Sequence, residues 1–307
     1  MTVSSVKTGY DGISLLVGNA AYIPVVTGLF GGGYTGSNSN TIDYITIATT
    51  GNAIDFGDLT VSRTYIASCA SSVRGVWAGG FDPNYNTIDY VTIATTGNAT
   101  DFGDLVNAIR TQSGCSSATR GIFGGGYTSG PVNDMTYITI ATTGNSTDFG
   151  DLTQARQATA SCSSPTRGVW AGGETSVLVN TIDYVTIAST GNATDFGDLT
   201  RDTFLLSGCS SATRGLFGAG YIMNTIDYIT IATTGNATDF GDSTSSRYGN
   251  GSCSSPTRGV WAGGTAGGQS NIIDYVTIDT TGNATDFGDL TVARTDVAGC
   301  SNGHGGL

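Results

Sequence analysis

Pairs of aspartates separated by two residues are the side chains of this sequence most suited to chemistry. Each pair lies in an Asp-Phe-Gly-Asp segment, as Asp55 and Asp58 do, and the segment occurs six times. Carboxylate oxygens are the ligands that calcium prefers, so such a pair could contribute to a calcium site. Aspartates at these positions more often cap turns and solvate an edge, and we expect that role here. The sequence therefore predicts no metal and no other cofactor.

Six cysteines recur at one position of the same pattern, with spacings of 46, 47, 47, 44 and 47 residues. Symmetry holds equivalent positions apart, whereas a disulfide needs Cα atoms within about 7 Å of each other. We therefore predict six free thiols that serve as small core residues; a metal ring of six thiols is the alternative. The cysteines are Cys69, Cys115, Cys162, Cys209, Cys253 and Cys300.

Acid–base and nucleophilic catalysis lack their usual residues in this chain. The single histidine, His304, lies in a glycine-rich tail, and the only lysine is Lys7. The motif GGGYTG at 31–36 matches the dinucleotide-binding pattern, but it follows a predicted strand and opens no helix. A glycoside hydrolase needs paired carboxylates in one pocket, whereas these aspartates recur sixfold along the chain. We therefore expect a protein that is not an enzyme.

A repeat of about 46 residues contains these side chains and fills most of the chain. Its most constant part is TIDY(I/V)TIATTGNATDFGDL, and a glycine-rich segment of one of two alternating kinds precedes it. A fixed period of this length indicates a repeat architecture. One kind is G(L/I)FG(G/A)GY, at 28–34, 121–127 and 215–221, and the other is GVWAGG, at 75–80, 168–173 and 259–264.

Each repeat has the pattern of four short strands. IASCASS at 66–72 is the first, the glycine-rich segment is the second, TIDYVTIATT is the third and ATDFGDL is the fourth. The third strand is apolar on both faces, which indicates that both faces are covered. Blades stacked around a propeller axis supply such cover. The TTGN segment between the third and fourth strands predicts a tight hairpin, because Gly and Asn tolerate positive φ.

The two kinds of repeat predict how the ring closes. Gly-Cys precedes the phenylalanine kind and Ser-Cys precedes the tryptophan kind, but the first copy, at 28–34, has no cysteine strand before it. The missing Gly-Cys is found at the C-terminal end of the chain, as Gly299 and Cys300. We therefore predict that residues 292–303 complete the first blade and hide an aggregation-prone edge. The predicted fold is an all-β, six-bladed propeller of four-stranded blades at 26–307, after an N-terminal segment at 1–25.

The repeat resembles the kelch family of β-propellers. The resemblance rests on the glycine doublet that ends the second strand, the tyrosine of the third, the aromatic residue of the fourth and the arginine that follows. Kelch repeats usually have Trp in the fourth strand, where this chain has Phe, so the copies are divergent. In this alignment the arginines are Arg63, Arg110, Arg156, Arg247 and Arg294, with Arg201 two places early in the fourth copy.

Arrays of TIDY…TIATTGNATDFGDL are similar to those of virion proteins of tailed phages, notably cyanophage-type tail fibres. The resemblance implies a structural protein of the phage particle, located in the tail or a fibre. It also implies other virion proteins as partners, which we expect to bind the N-terminal segment, and a homotrimer is one possible assembly. A carbohydrate-binding propeller lectin of a bacterium, or a purely structural docking module, is the alternative.

Two sets of loops differ from copy to copy, and they define what we call the variable face. Because strand direction alternates within a blade, both sets lie on one face of the ring. The near-constant TTGN and SSxTRG turns lie on the other, the uniform face. The variable face comprises loops 34–40, 81–86, 127–133, 174–180, 221–224 and 265–271 and crossings 61–67, 107–113, 201–207 and 245–251.

Aromatic side chains with polar neighbours suit contact with a glycan or a protein, so we expect the variable face to bind the host surface. The alternative is that these loops vary because nothing constrains them. The candidate binding residues are Tyr34, Tyr65, Phe81, Asp82, Tyr85, Tyr127, Glu174, Arg201, Phe204, Tyr221 and Tyr248.

The formal net charge of −12 narrows the classes of partner. An acidic chain without a basic patch is unsuited to nucleic acid or to an anionic membrane surface. No apolar run reaches the roughly 20 residues that span a bilayer. We therefore expect neither nucleic-acid binding nor membrane insertion.

Overall fold

The computed structural model describes residues 25–221 and 223–307. Within these ranges the chain forms 24 strands and no helix, in six separate four-stranded antiparallel sheets. The sheets are the blades of a six-bladed propeller, so the predicted fold class is confirmed. The described part of the chain has no helix that is long and apolar enough to cross a membrane. The predicted N-terminal segment lies almost entirely outside the described residues.

The blades are numbered in chain order. Blade 1 comprises β1 (Thr27–Gly31), β2 (Thr41–Thr46), β3 (Ile54–Asp58) and β24 (Ala298–Ser301). Blade 2 comprises β4 (Ala67–Ala70), β5 (Arg74–Ala78), β6 (Thr87–Thr92) and β7 (Thr100–Asp104). Blade 3 comprises β8 (Ser113–Ser116), β9 (Arg120–Gly124), β10 (Asp134–Thr139) and β11 (Thr147–Asp151).

The remaining blades have the same plan. Blade 4 comprises β12 (Ala160–Ser163), β13 (Arg167–Ala171), β14 (Thr181–Thr186) and β15 (Thr194–Asp198). Blade 5 comprises β16 (Ser207–Ser210), β17 (Arg214–Gly220), β18 (Met223–Thr230) and β19 (Thr238–Asp242). Blade 6 comprises β20 (Gly251–Ser254), β21 (Arg258–Ala262), β22 (Ile272–Thr277) and β23 (Thr285–Asp289).

The cysteine strands surround the axis, and the last of them closes the ring. Each inner strand contacts the inner strands of both neighbouring blades, and β24 lies between β20 and β4. In blade 1 this C-terminal strand pairs antiparallel with β1, with Leu29 opposite Cys300 and Phe30 opposite Gly299. The predicted closure is therefore confirmed.

The hydrophobic core lies between the blades rather than within them. One cluster joins Leu29 and Phe56 of blade 1 to Trp77 and Val91 of blade 2, and the other five blade interfaces have equivalent clusters. The three tryptophans are fully buried. This accounts for the third strand being apolar on both faces, since each face meets a neighbouring blade.

Each cysteine fills the space left by a glycine of the next blade. The sulfur of Cys69 lies so close to Gly121 of blade 3 that a Cβ there would come within 2.5 Å of it. All six thiols are free and buried, as predicted. Burial raises the pKa of every one of them, that of Cys300 to about 12.

The two kinds of repeat alternate because blades are joined in pairs. Trp77 of blade 2 donates its Nε1–H to the carbonyl oxygen of Ala298 in blade 1, at 3.2 Å. The Ser68 hydroxyl donates to the oxygen of Gly299 at 2.8 Å. A Cβ at Gly299 would approach the Ser252 oxygen to 2.6 Å, which explains why Gly and Ser alternate before the cysteines. Blades 4 and 6 bind blades 3 and 5 through the same two donors.

The TTGN segment does not form the tight hairpin predicted for it. Seven residues, 47–53, connect β2 to β3. The N–H groups of Gly51 and Ala53 donate to the carbonyl oxygens of Phe287 and Asp289 in blade 6, both at 2.8 Å. The side-chain oxygen of Asn52 accepts the N–H of Asp289 at 3.2 Å. Gly and Asn are repeated here because they bind the outer strand of the preceding blade.

Candidate functional site

Four arginines of the repeat are buried in ion pairs and take no part in a surface site. The guanidinium of Arg63 lies 2.7 Å from the carboxylate of Asp89, and both side chains are fully buried. It also donates to the carbonyl oxygens of Gly79 and Thr87, each at 2.7 Å. The Thr60 hydroxyl donates to the same carboxylate. The other pairs are Arg156–Asp183, Arg247–Asp274 and Arg294–Asp43.

Arg110 is not the equivalent of these arginines, so its alignment in the repeat was wrong. Ile109 occupies the arginine position at the entry to blade 3, and Thr136 stands where the other blades have aspartate. Arg110 instead lies on the variable face, where its guanidinium stacks on the rings of Phe81 and Tyr127, with its Cζ atom 4.3 and 4.6 Å from their centroids. Losing both partners of a buried ion pair costs far less than losing one, which explains the joint replacement.

Blade 5 departs from the pattern in another way. Thr203 occupies its arginine position, while Asp227 is retained and accepts hydrogen bonds from the backbone and hydroxyl of Thr200 at 3.0 and 2.8 Å. Burial raises the pKa of Asp227. The candidate residue Arg201 is exposed, and its Nη1 lies 3.6 Å from the sulfur of Met223.

The variable face is built from three rings of six equivalent positions around the axis. Backbone bridges join the outer to the middle ring, as between Thr64 and Phe81 and between Arg110 and Tyr127. The backbone therefore repeats while the side chains differ. The outer ring is Tyr34, Phe81, Tyr127, Glu174, Tyr221 and Thr265. The middle ring is Thr64, Arg110, Gln157, Phe204, Tyr248 and Thr295, and the inner ring, or collar, is Tyr65, Thr111, Ala158, Leu205, Gly249 and Asp296.

The collar has an unusual backbone conformation in every blade. All six residues have φ between 54° and 66°, although only Gly249 is a glycine. Such a conformation costs a residue with a Cβ roughly 1–2 kcal/mol. Consecutive collar residues are joined by N–H···O bonds, for example from Thr111 to Tyr65 at 3.0 Å and from Ala158 to Thr111 at 2.8 Å. This chain of bonds runs through five of the six blade junctions and fixes the mouth of the axial channel.

The structure brings five of the eleven predicted site residues into two clusters. Phe81 and Tyr127 enclose Arg110, which sequence reasoning missed because it was assigned to the repeat. Across the ring, Tyr221 lies between Phe204 and Tyr248, with ring centroids 5.1 and 5.3 Å apart. Two signals in the sequence could have identified Arg110: it stands one place later after the DFGDL segment than Arg63 does, and Thr136 replaces the third-strand aspartate.

The other predicted residues lie apart on the same face. Tyr34 is 38% exposed, and Glu174 accepts a hydrogen bond from Gln157 at 3.1 Å. The hydroxyl of Tyr85 donates to the backbone oxygen of the exposed Asp82 at 3.3 Å. Tyr65 belongs to the collar.

Cavities of about 80, 110 and 50 Å³ follow one another along the axis below the collar. The uppermost is lined by collar residues, and the lower two by the Ser, Gly and Cys residues of the inner strands. The C-terminal tail closes the far end, where Nε2 of His304 lies 3.0 Å from the oxygen of Ala70 and 3.3 Å from the hydroxyl of Ser116. Ala70 is the one non-serine of its ring, and burial lowers the pKa of His304.

Asp296 and Tyr65 face each other across one side of the collar. Burial raises the pKa of Asp296 to about 7, and hydrogen bonds from Tyr65 and Thr295 lower it in part. Burial, together with the charge of Asp296, raises the pKa of Tyr65 to about 12. A Cβ at Gly249 would overlap a carboxylate oxygen of Asp296, so this glycine makes room for the acid.

The uniform face is constant because its side chains bind neighbouring blades. Arg74 stacks on Tyr90 at 4.4 Å and donates to the carbonyl oxygen of Ile140 in blade 3 at 2.9 Å. Four other blades repeat this arrangement. Among residues 25–221 and 223–307, no group of three metal-ligating side chains is found.

Comparisons with known proteins assign this chain to no family. No protein-family model matches the chain, and no curated protein matches it. The geometry of the variable face is therefore the basis of the binding role proposed below.

Proposed function

We propose that this chain is a non-enzymatic structural protein of a phage particle, in the tail or a fibre, and that it attaches to the host surface through its variable face. The observation that carries the proposal is the contrast between backbone and side chains. The three rings repeat one backbone geometry six times, whereas their side chains differ from blade to blade.

Sequence drift in unconstrained loops is a poor explanation for side chains that differ on a repeated backbone. The outer and middle rings hold six aromatic residues and one arginine among twelve positions. Tyr and Arg are enriched among the residues that dominate binding energy, whereas Thr and Ser are under-represented. A drifting collar would also be expected to relax towards glycine, since positive φ strains the five other residues. Selection for a rigid, adaptable contact surface accounts for both features.

The assignment to a phage particle rests on the resemblance of the repeat to tail-fibre arrays. Strand β24 covers the edge of β1, and the blades of a propeller leave only short, protected edges. This suits a particle outside a cell, because free edges template aggregation. The two alternatives assume the same fold. In the first, the propeller is a bacterial lectin; in the second, it is a docking module that binds no ligand. Mass spectrometry of purified virions tests the setting, and absence of the chain from them would favour the lectin.

Attachment is tested with two matched variants of the full chain. In the first, Phe81→Ala and Tyr127→Ala remove the aromatic sandwich of the variable face. In the control, Val73→Ala removes an exposed apolar side chain of the uniform face. Val73 is exposed, so its substitution should change stability by about 0.5 kcal/mol or less. Phe81 and Tyr127 are half-buried, so thermal unfolding is measured first to establish that both variants fold. We expect binding to bacterial cells and to isolated surface glycans to fall at least tenfold in the first variant only, and equal binding by both would contradict the proposal.

A further inference from the structure

The mouth of the axial channel is a preformed pocket on the variable face. The six collar residues surround a cavity of about 80 Å³ whose deeper walls include Ile66, Leu206 and Val297. The collar backbone is fixed by hydrogen bonds between blades and by its common φ value. The pocket is therefore rigid, and the C-terminal tail blocks it from the opposite end.

Asp296 is the one charged residue of the collar, and it has no cationic partner among the residues that line this cavity. Tyr65 and Gly249 flank its carboxylate on the two sides. Arg110, whose charge acts on Tyr65, is held between the rings of Phe81 and Tyr127. The walls of the cavity combine apolar side chains with the polar side chains of Gln112 and Thr159. A half-buried carboxylate over such a cavity is complementary to a small organic cation.

We propose that the axial pocket binds the primary ammonium group of an amino sugar, with Asp296 as its counter-ion. This inference rests on the host-surface binding proposed above and names its ligand class. Tyr65, with Tyr248 beside it, provides aromatic surface for the apolar face of a sugar ring. The hydroxyl of Thr111 lies in the same collar. The net charge of −12 draws cations towards the mouth.

Protonation of Asp296 gives the proposal a pH signature. Tyr65 stays neutral in this range because its pKa is about 12, and the other four collar residues do not titrate. Arg110 and Tyr248 are the other charged and titratable groups next to Tyr65. With a pKa of about 7, Asp296 ionises as pH rises from 6 to 7.4. Affinity should therefore rise severalfold over this interval and fall again where the sugar amine itself loses its proton.

The test is titration of the full chain with D-glucosamine, followed by NMR or calorimetry at pH 6.0 and 7.4. N-acetylglucosamine, which lacks the charge, is the ligand control. Asp296→Asn removes the counter-ion while keeping a residue that tolerates positive φ, and the matched control Asp279→Asn removes an exposed acid of the uniform face. We expect glucosamine to bind the parent chain and Asp279→Asn with the stated pH dependence, and Asp296→Asn to bind it at least tenfold more weakly.

Several results would overturn this assignment. Equal binding of the two sugars, or unchanged binding by Asp296→Asn, would contradict the ammonium site. Binding of an Nα-blocked lysine without binding of glucosamine would contradict the sugar as its source. Failure here is distinguishable from failure of host attachment, because the Phe81→Ala and Tyr127→Ala variant tests attachment at residues outside the pocket. If that variant loses attachment while glucosamine does not bind the parent chain, the proposed amino-sugar site is contradicted and the proposed host attachment is not.

Discussion

At the scale of single residues, the blades allow a buried ion pair to be compared with an uncharged replacement at the same positions. Four blades hold a Thr–Asp–Arg triad, and blade 3 replaces it with Val106, Thr136 and Ile109. The arginine and aspartate are lost together, as expected if an unpaired buried charge is costly while an apolar substitute for the pair is tolerated. The aspartate of TIDY was assigned no role from sequence, because a strand that is apolar on both faces gives no sign of a buried carboxylate.

The first prediction uses blade 3 as the template for blade 4. Arg156→Ile alone leaves Asp183 buried without its partner, and we expect it to lower the free energy of unfolding by about 3–5 kcal/mol. Combining it with Asp183→Thr and Thr153→Val should restore most of that loss. Denaturant unfolding measures both. A triple variant as unstable as the single one would contradict the account.

A second residue-scale prediction concerns Asp296. Its pKa rises from 3.8 in the unfolded chain to about 7, so the folded state holds the proton more tightly. Stability should therefore fall as pH rises from about 4 to 7. Asp296→Asn removes this dependence, and it should raise the melting temperature at pH 8 while changing little at pH 4. Equal changes at both pH values would show that the carboxyl is not desolvated.

At the scale of strands and turns, the repeat predicted the order of the four strands and the way they close. It could not predict what the constant TTGN segment binds, because Gly-Asn has the same local signal in a tight hairpin as in a longer connection. The decisive contacts, from Gly51 and Asn52 to Asp289 and its neighbours, come from another blade. The turn propensities of Gly and Asn describe only the local conformation of the TTGN segment. These hydrogen bonds form only when two blades lie side by side in the ring.

The alternation of Gly and Ser before the cysteines yields the third prediction. A side chain at Gly299 would meet the backbone oxygen of Ser252 and the ring of Phe30. Gly299→Ser should therefore destabilise the closing strand by more than Ser68→Gly, which loses one hydrogen bond worth about 1 kcal/mol. Thermal unfolding compares the two variants. The reverse order would indicate that the pairing of blades does not set the two kinds of repeat.

At the scale of the whole molecule, the sequence predicted six blades and the C-terminal strand as the closing one. It gave no indication that the residues after that strand return to the channel. The sequence places His304 in a glycine-rich tail, and in the structure this histidine contacts Ala70 and Ser116. The surroundings of His304 form only when the six inner strands meet at the axis, so no local sequence pattern predicts these contacts. The variable face was predicted as a surface, but its rings became recognisable only from equivalent backbone positions.

The fourth prediction follows from that contact. Because burial lowers the pKa of His304 below 6.5, docking of the tail favours the neutral imidazole. As pH falls through 6.5, the unfolded or undocked form gains a proton first, and docking weakens. Hydrogen exchange of residues 302–307 should therefore accelerate at pH 5 beyond its intrinsic pH dependence. His304→Gln should show no such acceleration, and identical behaviour of the two chains would contradict the contact.

The central claim is that recognition belongs to the variable face of the closed ring. Its most direct measurement is binding of the full chain to bacterial cells and to an array of their surface glycans, with the parent, the Phe81→Ala and Tyr127→Ala variant and the Val73→Ala control measured together. The account predicts that the parent and the control bind the same targets equally, and that the variable-face variant binds them at least tenfold more weakly. Equal binding by all three chains, or binding lost only in the control, would contradict it.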